Sequence, residues 1–257
     1  MRLTVVGSSG SVSGPSSAAS CYLLQADEAA RTWSVLLDLG SGAFGQTMRY
    51  VDPHALDAVL VSHLHADHMV DLAALHVYLK YGPGGPHPAI AVHGPGGTAR
   101  RLQEVCGDSD ELDGQFLVQP WVPGETVRIG PLSIEPFEVV HPTPAYAMRI
   151  TGPSERGSAT RVITYTGDTD TCVGVERAAA GADLLLSEAA FEEGRDGIRG
   201  IHLTGRRAGE LADGARAKRL VLTHIPPWTS PGTVRAEALT AYSGPIDVAE
   251  PGACWEL

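Results

Sequence analysis

The string His63-Leu64-His65-Ala66-Asp67-His68 constrains this chain more than any other. It gathers three imidazoles and a carboxylate directly after the apolar run Ala58-Val59-Leu60-Val61 and directly before a helix-like run that begins at Met69. A strand therefore ends where the polar groups begin. Imidazole and carboxylate suit zinc and its neighbours, and a strand end followed by a tight loop can turn His63 and His65 toward one point. Asp67 and His68, at the start of the helix, can face a second point nearby. One segment thus offers halves of two sites, as a pair of bridged divalent ions requires.

Three further ligand-type residues stand where apolar runs end. His141 follows Phe137-Glu138-Val139-Val140, Asp168 follows Val162-Ile163 within Tyr165-Thr166-Gly167-Asp168-Thr169, and His224 follows Leu220-Val221-Leu222-Thr223. If these strands share an orientation, their ends lie along one rim, where residues on loops of a rigid scaffold commonly gather. With the first motif they make seven ligands, enough for two ions if Asp168 bridges.

Short apolar runs at 3–6, 21–24 and 35–39 are separated by Gly/Ser-rich or charged turns, as in a strand meander. Strands are expected at 90–93, 127–129, 132–140 and 147–150, and helices at 69–81 and 97–106, with an acidic surface loop at 108–113. His76 within the first helix reads as a packed or surface histidine. From 161 the pattern alternates: strands at 161–166, 182–186 and 220–223, helices at 173–180 and 204–217, then a last helix and strand up to Val248. Meanders followed by alternation suggest two sheets covered by helices, a four-layer α/β arrangement. The segment Ser8-Ser9-Gly10-Ser11-Val12-Ser13-Gly14-Pro15-Ser16-Ser17 is either a plain flexible loop or a loop that lines the site and offers hydroxyls and N–H groups to an anion.

The 257 residues, 43% hydrophobic and 19% charged, can bury a substantial core and read as one domain over 1–257. No apolar run is long enough to span a membrane, and the start is a short strand. Cys21, Cys106, Cys172 and Cys254 form no Cys-x-x-Cys pair, so neither a thiolate metal site nor a disulfide framework is suggested, and a reducing cytoplasm fits. The net charge of -11 argues against a large nucleic-acid partner, since binding a polyanion normally calls for a basic face.

The motif His63-x-His65-x-Asp67-His68, with His141, Asp168 in a Gly-Asp-Thr and the late His224, resembles the metallo-β-lactamase superfamily of dinuclear hydrolases over essentially the whole chain. The resemblance implies an αββα sandwich, with His63, His65 and His141 on one metal, Asp67, His68 and His224 on the other, and Asp168 bridging. Zinc is the default for such nitrogen-rich sites, and manganese or iron can occupy similar ligand sets. Ser187-Glu188-Ala189-Ala190-Phe191 and His202-Leu203-Thr204-Gly205 are similar to the branch containing the tRNA 3′-processing endonuclease tRNase Z and related phosphodiesterases. That implies a catalytic pair of Asp67 and His202, with His202 assisting at the scissile phosphate. Read physically, His202 lies just before the cap-like Thr204 of a helix, and Glu188 can orient it.

Two departures count against tRNA processing. The long arm that family often inserts between the third-motif histidine and the bridging aspartate is missing between His141 and Asp168. Its Arg-Tyr pair after the last histidine is replaced by Pro226-Pro227-Trp228-Thr229-Ser230. The strings His141-Pro142-Thr143-Pro144 and Thr223-His224-Ile225-Pro226-Pro227-Trp228 look like actinobacterial enzymes described as atypical cyclic-nucleotide phosphodiesterases. The implied substrate is a small phosphodiester, a 3′,5′-cyclic nucleotide opened to the 5′-monophosphate, with Trp228 either a stacking surface for a base or simple packing. The alternatives are a tRNase Z-like endonuclease and a metal-dependent lactonase or thioesterase. Relatives often pair through helices near the site, and the helix up to Tyr81 is aromatic enough to permit a homodimer.

Overall fold

A computed structural model describes residues 1–84, 87–107, 112, 114–155 and 157–257. The chain lays down β1 (Arg2–Ser9), β2 (Ala18–Ala19), β3 (Cys21–Glu28), β4 (Arg31–Leu37), α1 (Ala43–Thr47), β5 (Ala58–Leu60), α2 (Ala66–Met69), α3 (Leu72–Tyr81), β6 (Ile90–Gly94), α4 (Thr98–Cys106) and β7 (Phe116–Pro120). It continues with β8 (Val127–Ile129), β9 (Leu132–Val139), β10 (Ala145–Pro153), β11 (Thr160–Tyr165), α5 (Val173–Ala179), β12 (Leu184–Glu188), α6 (Gly205–Gly214), β13 (Leu220–Thr223), α7 (Pro231–Leu239), β14 (Ile246–Val248) and β15 (Cys254–Glu256). One sheet has the order β15-β1-β3-β4-β5-β6-β7, with β2 beside β1; the other runs β14-β13-β12-β11-β10-β9-β8.

Successive strand residues face opposite sides of a sheet, and here both sides are buried. In β3, Tyr22, Leu24 and Ala26 join the core between the sheets, while Cys21 and Leu23 join the core under α1 and α3. In β12 and β13, Leu184, Leu186 and Val221 point to the central core, and Leu185, Leu220 and Leu222 meet the helices on the far side. Three apolar clusters therefore separate four layers, the expected αββα sandwich. Among the described residues no helix is long and apolar enough to cross a membrane.

The expected helix at 69–81 is split into α2 and α3. The Asp71 amide donates to Leu39 O (3.2 Å), and its carboxylate accepts from Phe44 N (2.9 Å). That bond to Leu39 withdraws Asp71 from the helical ladder and docks the motif onto the turn after β4. Three strands were not expected: β2, a two-residue strand beside β1; β7, whose Gln119 and Pro120 are exposed; and β15, a three-residue edge strand antiparallel to β1. Of the acidic segment 108–113 only Leu112 is described, so the expected loop lies otherwise outside the described residues.

Strand direction sets the site. β4 to β7 are mutually parallel, as are β11 to β14, and β9 runs with β11 because both are antiparallel to β10. The segments leaving β5, β9, β11 and β13 therefore emerge at one end of the sandwich. Two backbone links join the sheets there: Tyr146 N donates to Ser62 O (3.0 Å), and Ser9 bridges to Ile225.

Candidate metal centre

The seven expected ligand residues meet at this rim in two adjoining clusters. In the first, His65 Nδ1 lies 3.0 Å from His63 Nε2 and 3.2 Å from His141 Nε2. In the second, Asp168 sets Oδ2 3.1 Å from His224 Nε2 and Oδ1 3.2 Å from His68 Nε2, while Asp67 Oδ2 lies 3.4 Å from His68 Nε2 and 3.8 Å from His224 Nε2. Asp168 Oδ2 is also 3.7 Å from His63 Nε2, so this carboxylate adjoins both clusters.

His68 Nε2, His224 Nε2 and Asp168 Oδ1 are buried without a hydrogen-bond partner. Leaving such groups unpaired costs about 1–3 kcal/mol each, so their convergence calls for a cation, and the nitrogen and oxygen donors fit a divalent metal. The opposite ring nitrogens are held from outside. His141 Nδ1 donates to Ile201 O (2.9 Å), which leaves its Nε2 lone pair aimed inward. Ser62 Oγ lies 3.1 Å from His63 Nδ1, Ser20 Oγ 3.0 Å from His224 Nδ1, and Asp38 Oδ2 2.7 Å from His68 Nδ1. Such outer partners fix ring orientation and raise ligand basicity.

Asp38 itself is fully buried and also accepts from Ser62 N (2.6 Å), Ser62 Oγ (2.7 Å) and Tyr165 OH (2.7 Å). The sequence places Asp38 at a strand end, as it does the ligands, but a lone carboxylate there carries no further sign of its role. Asp38 and His224 both adopt left-handed backbone, with φ of 57° and 55°. For a non-glycine residue this costs of order 1–3 kcal/mol and is characteristic of functional sites. Backbone approach is close as well: a Cβ on Gly40 would fall 1.9 Å from Asp67 O, and one on Gly10 would fall 2.2 Å from His224 O.

Burial shapes the charges. It opposes a charge on His68, but the Asp168 and Asp38 carboxylates outweigh it and hold this imidazole protonated well above its ordinary 6.5 in the metal-free chain. Burial would also raise Asp168, yet His224, His68 and His63 hold it well below 3.8. His63 and His224 are pushed down by burial. The buried carboxylates thus demand positive charge, which imidazoles supply poorly when desolvated.

His202 stands at the seam of the clusters. Its ring centroid is 5.5 Å from that of His141 and 5.4 Å from that of His224, and its Nδ1 lies 3.0 Å from Glu188 Oε1. Burial disfavours the imidazolium, but the Glu188 carboxylate outweighs it and pushes His202 up to about 9. Glu188 ends β12 and is fixed by Thr169 N (2.7 Å) on the same oxygen. Thr204 caps α6 through Arg207 N, as the helix-entry reading expects. Trp228 is 63% exposed on the loop after His224. The hydroxyls of the Ser8–Ser17 loop are largely engaged within the protein: Ser8 with Ser17, Ser9 with Val12 O, Ser13 with Ser41. The loop forms a wall behind His224. His76 is packed in the core, away from the clusters.

A model of the β-lactamase superfamily domain matches residues 33–225, the stretch that runs from β4 to just past His224. The chain belongs to the metallo-β-lactamase superfamily. Within it, a Mycobacterium leprae protein is 41% identical over 100% of this chain and 89% of its own length. A probable metallo-hydrolase of Bacillus subtilis, YhfI, is 31% identical over the full length of both. The YhfI crystal structure superposes with a TM-score of 0.86 at 29% identity, covering 100% of this chain and 98% of that one. Human tRNase Z, short form (TM-score 0.77), and a diphosphatase of the PhnP family (0.74) cover 100% of this chain and 99% and 97% of their own. At 22% identity each, those two show a shared fold alone. Membership of the superfamily, with the likeness to YhfI in sequence and fold, makes this a metal-dependent hydrolase.

Proposed function

We propose that this hydrolase is a phosphodiesterase that carries two divalent ions, zinc by default, and opens a 3′,5′-cyclic nucleotide to the nucleoside 5′-monophosphate. His63, His65 and His141 would hold one ion, and Asp67, His68 and His224 the other, with Asp168 shared. When bound, such a pair supplies Lewis acidity and brings the pKa of a water to near neutrality. Asp67 orients the attacking water, which gives up one proton to solvent while its oxygen bonds to phosphorus and the bond to the 3′-oxygen breaks. His202 delivers its proton to that departing oxygen and is reprotonated from solvent.

The observation that carries this reading is His202 held on Glu188 at the seam of both clusters, a protonated donor beside the reacting centre. The name of the PhnP-family diphosphatase fits phosphate-ester chemistry on this fold. A tRNase Z-like endonuclease is the runner-up. Against it, only the β10–β11 hairpin and its turn separate His141 from Asp168, leaving no gripping arm, and the net charge is -11. A thioesterase, which expels a thiolate, has less need of a dedicated proton donor.

The test is product identification, with protein reconstituted separately with zinc, manganese and iron. Cyclic AMP, cyclic GMP, pre-tRNA, a thioester and a lactone serve as parallel substrates. The expected product is the 5′-monophosphate, with His202→Ala slowed about a hundredfold while retaining its metal. Turnover of pre-tRNA or of the acyl substrates without turnover of either cyclic nucleotide would overturn the proposal. The same reading makes the chain a single-domain cytoplasmic enzyme. Its α3 surface, where Val77 and Tyr81 are exposed, suits a homodimer, which light scattering would detect.

A further inference from the structure

A fourth buried carboxylate at the rim, beside those of Asp38, Asp168 and Glu188, has no part in the chemistry above. Asp170 is 2% exposed, and its amide donates to Val140 O (2.9 Å), fastening the segment that leads into His141. Its Oδ1 accepts from Thr171 N (2.7 Å), Arg207 Nη1 (2.7 Å) and Arg199 Nη2 (3.1 Å); its Oδ2 accepts from Gly200 N (2.7 Å) and Arg199 Nε (2.7 Å). Arg207, from α6, is buried too, and its Nη1 also donates to His202 O (3.0 Å). Thr204 Oγ1 accepts from Arg207 N and Nε, so the guanidinium is fixed from behind.

These bonds converge on residues 199–203, which have no regular secondary structure of their own. That segment presents the Ile201 carbonyl, which sets the His141 ring, and the His202 imidazole. Nothing in a loop's local preference holds two side chains to a few tenths of an ångström. A buried carboxylate gripping two guanidiniums and a backbone amide does so, because each fork bond is directional and breaking one strands a desolvated charge. We infer that Asp170, acting through Arg207 and Arg199, is a positioning residue that aims His202 at the leaving oxygen.

The inference rests on the proposed phosphodiesterase reaction. Two substrates separate positioning from general damage. A cyclic nucleotide expels a basic alkoxide that needs a proton, whereas bis(p-nitrophenyl) phosphate expels a phenolate that does not. In the full-length, metal-loaded protein, Asp170→Asn should lower kcat about a hundredfold on cyclic AMP but less than about threefold on the nitrophenyl ester, with KM little changed. Added to His202→Ala it should cost nothing more on cyclic AMP. Equal losses on both substrates, or losses additive with His202→Ala, overturn the inference.

A second readout is independent of turnover. In ¹⁵N-edited NMR of the zinc-loaded protein, the Nδ1–H of His202 on Glu188 should give a downfield imidazole N–H resonance, assigned by its loss in His202→Ala. Asp170→Asn should broaden it into exchange with water; an unchanged resonance overturns the inference. If wild-type protein hydrolyses neither phosphodiester, the reaction proposal fails and the resonance alone decides the positioning. Should Asp170→Asn fail to fold by circular dichroism, Arg207→Lys, which keeps the charge but not the fork, is read by the same assays.

Discussion

Asp38 joins four donors from three segments while its own backbone is left-handed. Asparagine tolerates that backbone, so Asp38→Asn leaves the turn intact while removing the charge and turning one of two accepting oxygens into a donor. Metal affinity of the cluster containing His68 should fall about 10–100-fold, measured by competition with a chromophoric chelator; unchanged affinity would deny Asp38 its part in holding His68. His76 presents the opposite case. It is 1% exposed, and neither ring nitrogen has a partner among the described residues. Replacing an unpaired buried polar group with an apolar one of similar size is favourable, so His76→Leu should stabilise by about 1 kcal/mol. A lowered Tm would contradict this. The residues of the two clusters were legible in the sequence because His63, His141, Asp168 and His224 each follow an apolar run and His65, Asp67 and His68 stand within five positions of the first. Asp38 and Asp170 were not, because His68 lies 30 residues from the one and Arg207 lies 37 from the other, and no spacing rule spans such distances.

At the scale of elements, strand pairing is pinned by polar anchors at the end away from the metals. Asp183, just before β12, accepts from Val162 N in β11 (2.8 Å) and from Lys218 Nζ (2.7 Å). Burial would raise its carboxyl, but Lys218 and the Val162 amide outweigh it and hold it below 3.8. A carboxyl lowered in the folded state stabilises above its unfolded value, and that contribution is lost as pH falls through the folded one. Asp183→Asn should therefore be less stable than wild type at pH 7, by under about 1 kcal/mol because Lys218 is largely exposed, and the gap should close below pH 3.8. Denaturant titrations across that range read the gap; one that persists in acid would assign the effect to packing. The buried strands were readable because both their faces are apolar. β7 and β15 were not, since edge strands with one open side tolerate the glutamine, proline and glutamate found there.

For the molecule as a whole, the metal-binding end draws on both sheets: His63, His65, Asp67 and His68 from the first, His141, Asp168 and His224 from the second. A ligand that binds only the folded state adds stability, about 4 kcal/mol at a thousandfold excess over Kd. Stripping with a chelator should therefore lower Tm for the entire sandwich in one cooperative step, and adding zinc back should restore it. An unchanged Tm would mean the clusters hold no ion. The four layers were foreseeable from periodicity, whereas the contact between sheets at the rim was not, because it depends on Tyr146 meeting Ser62 across 84 positions. That contact and the Ser9–Ile225 bridge are made by main chain rather than side chains. Peptide groups are indifferent to which residue carries them, so mutation in the surrounding loops leaves these two stitches in place. Exposed side chains of those loops, such as Val12 and Trp228, can therefore change while the two halves stay in register around the His/Asp clusters.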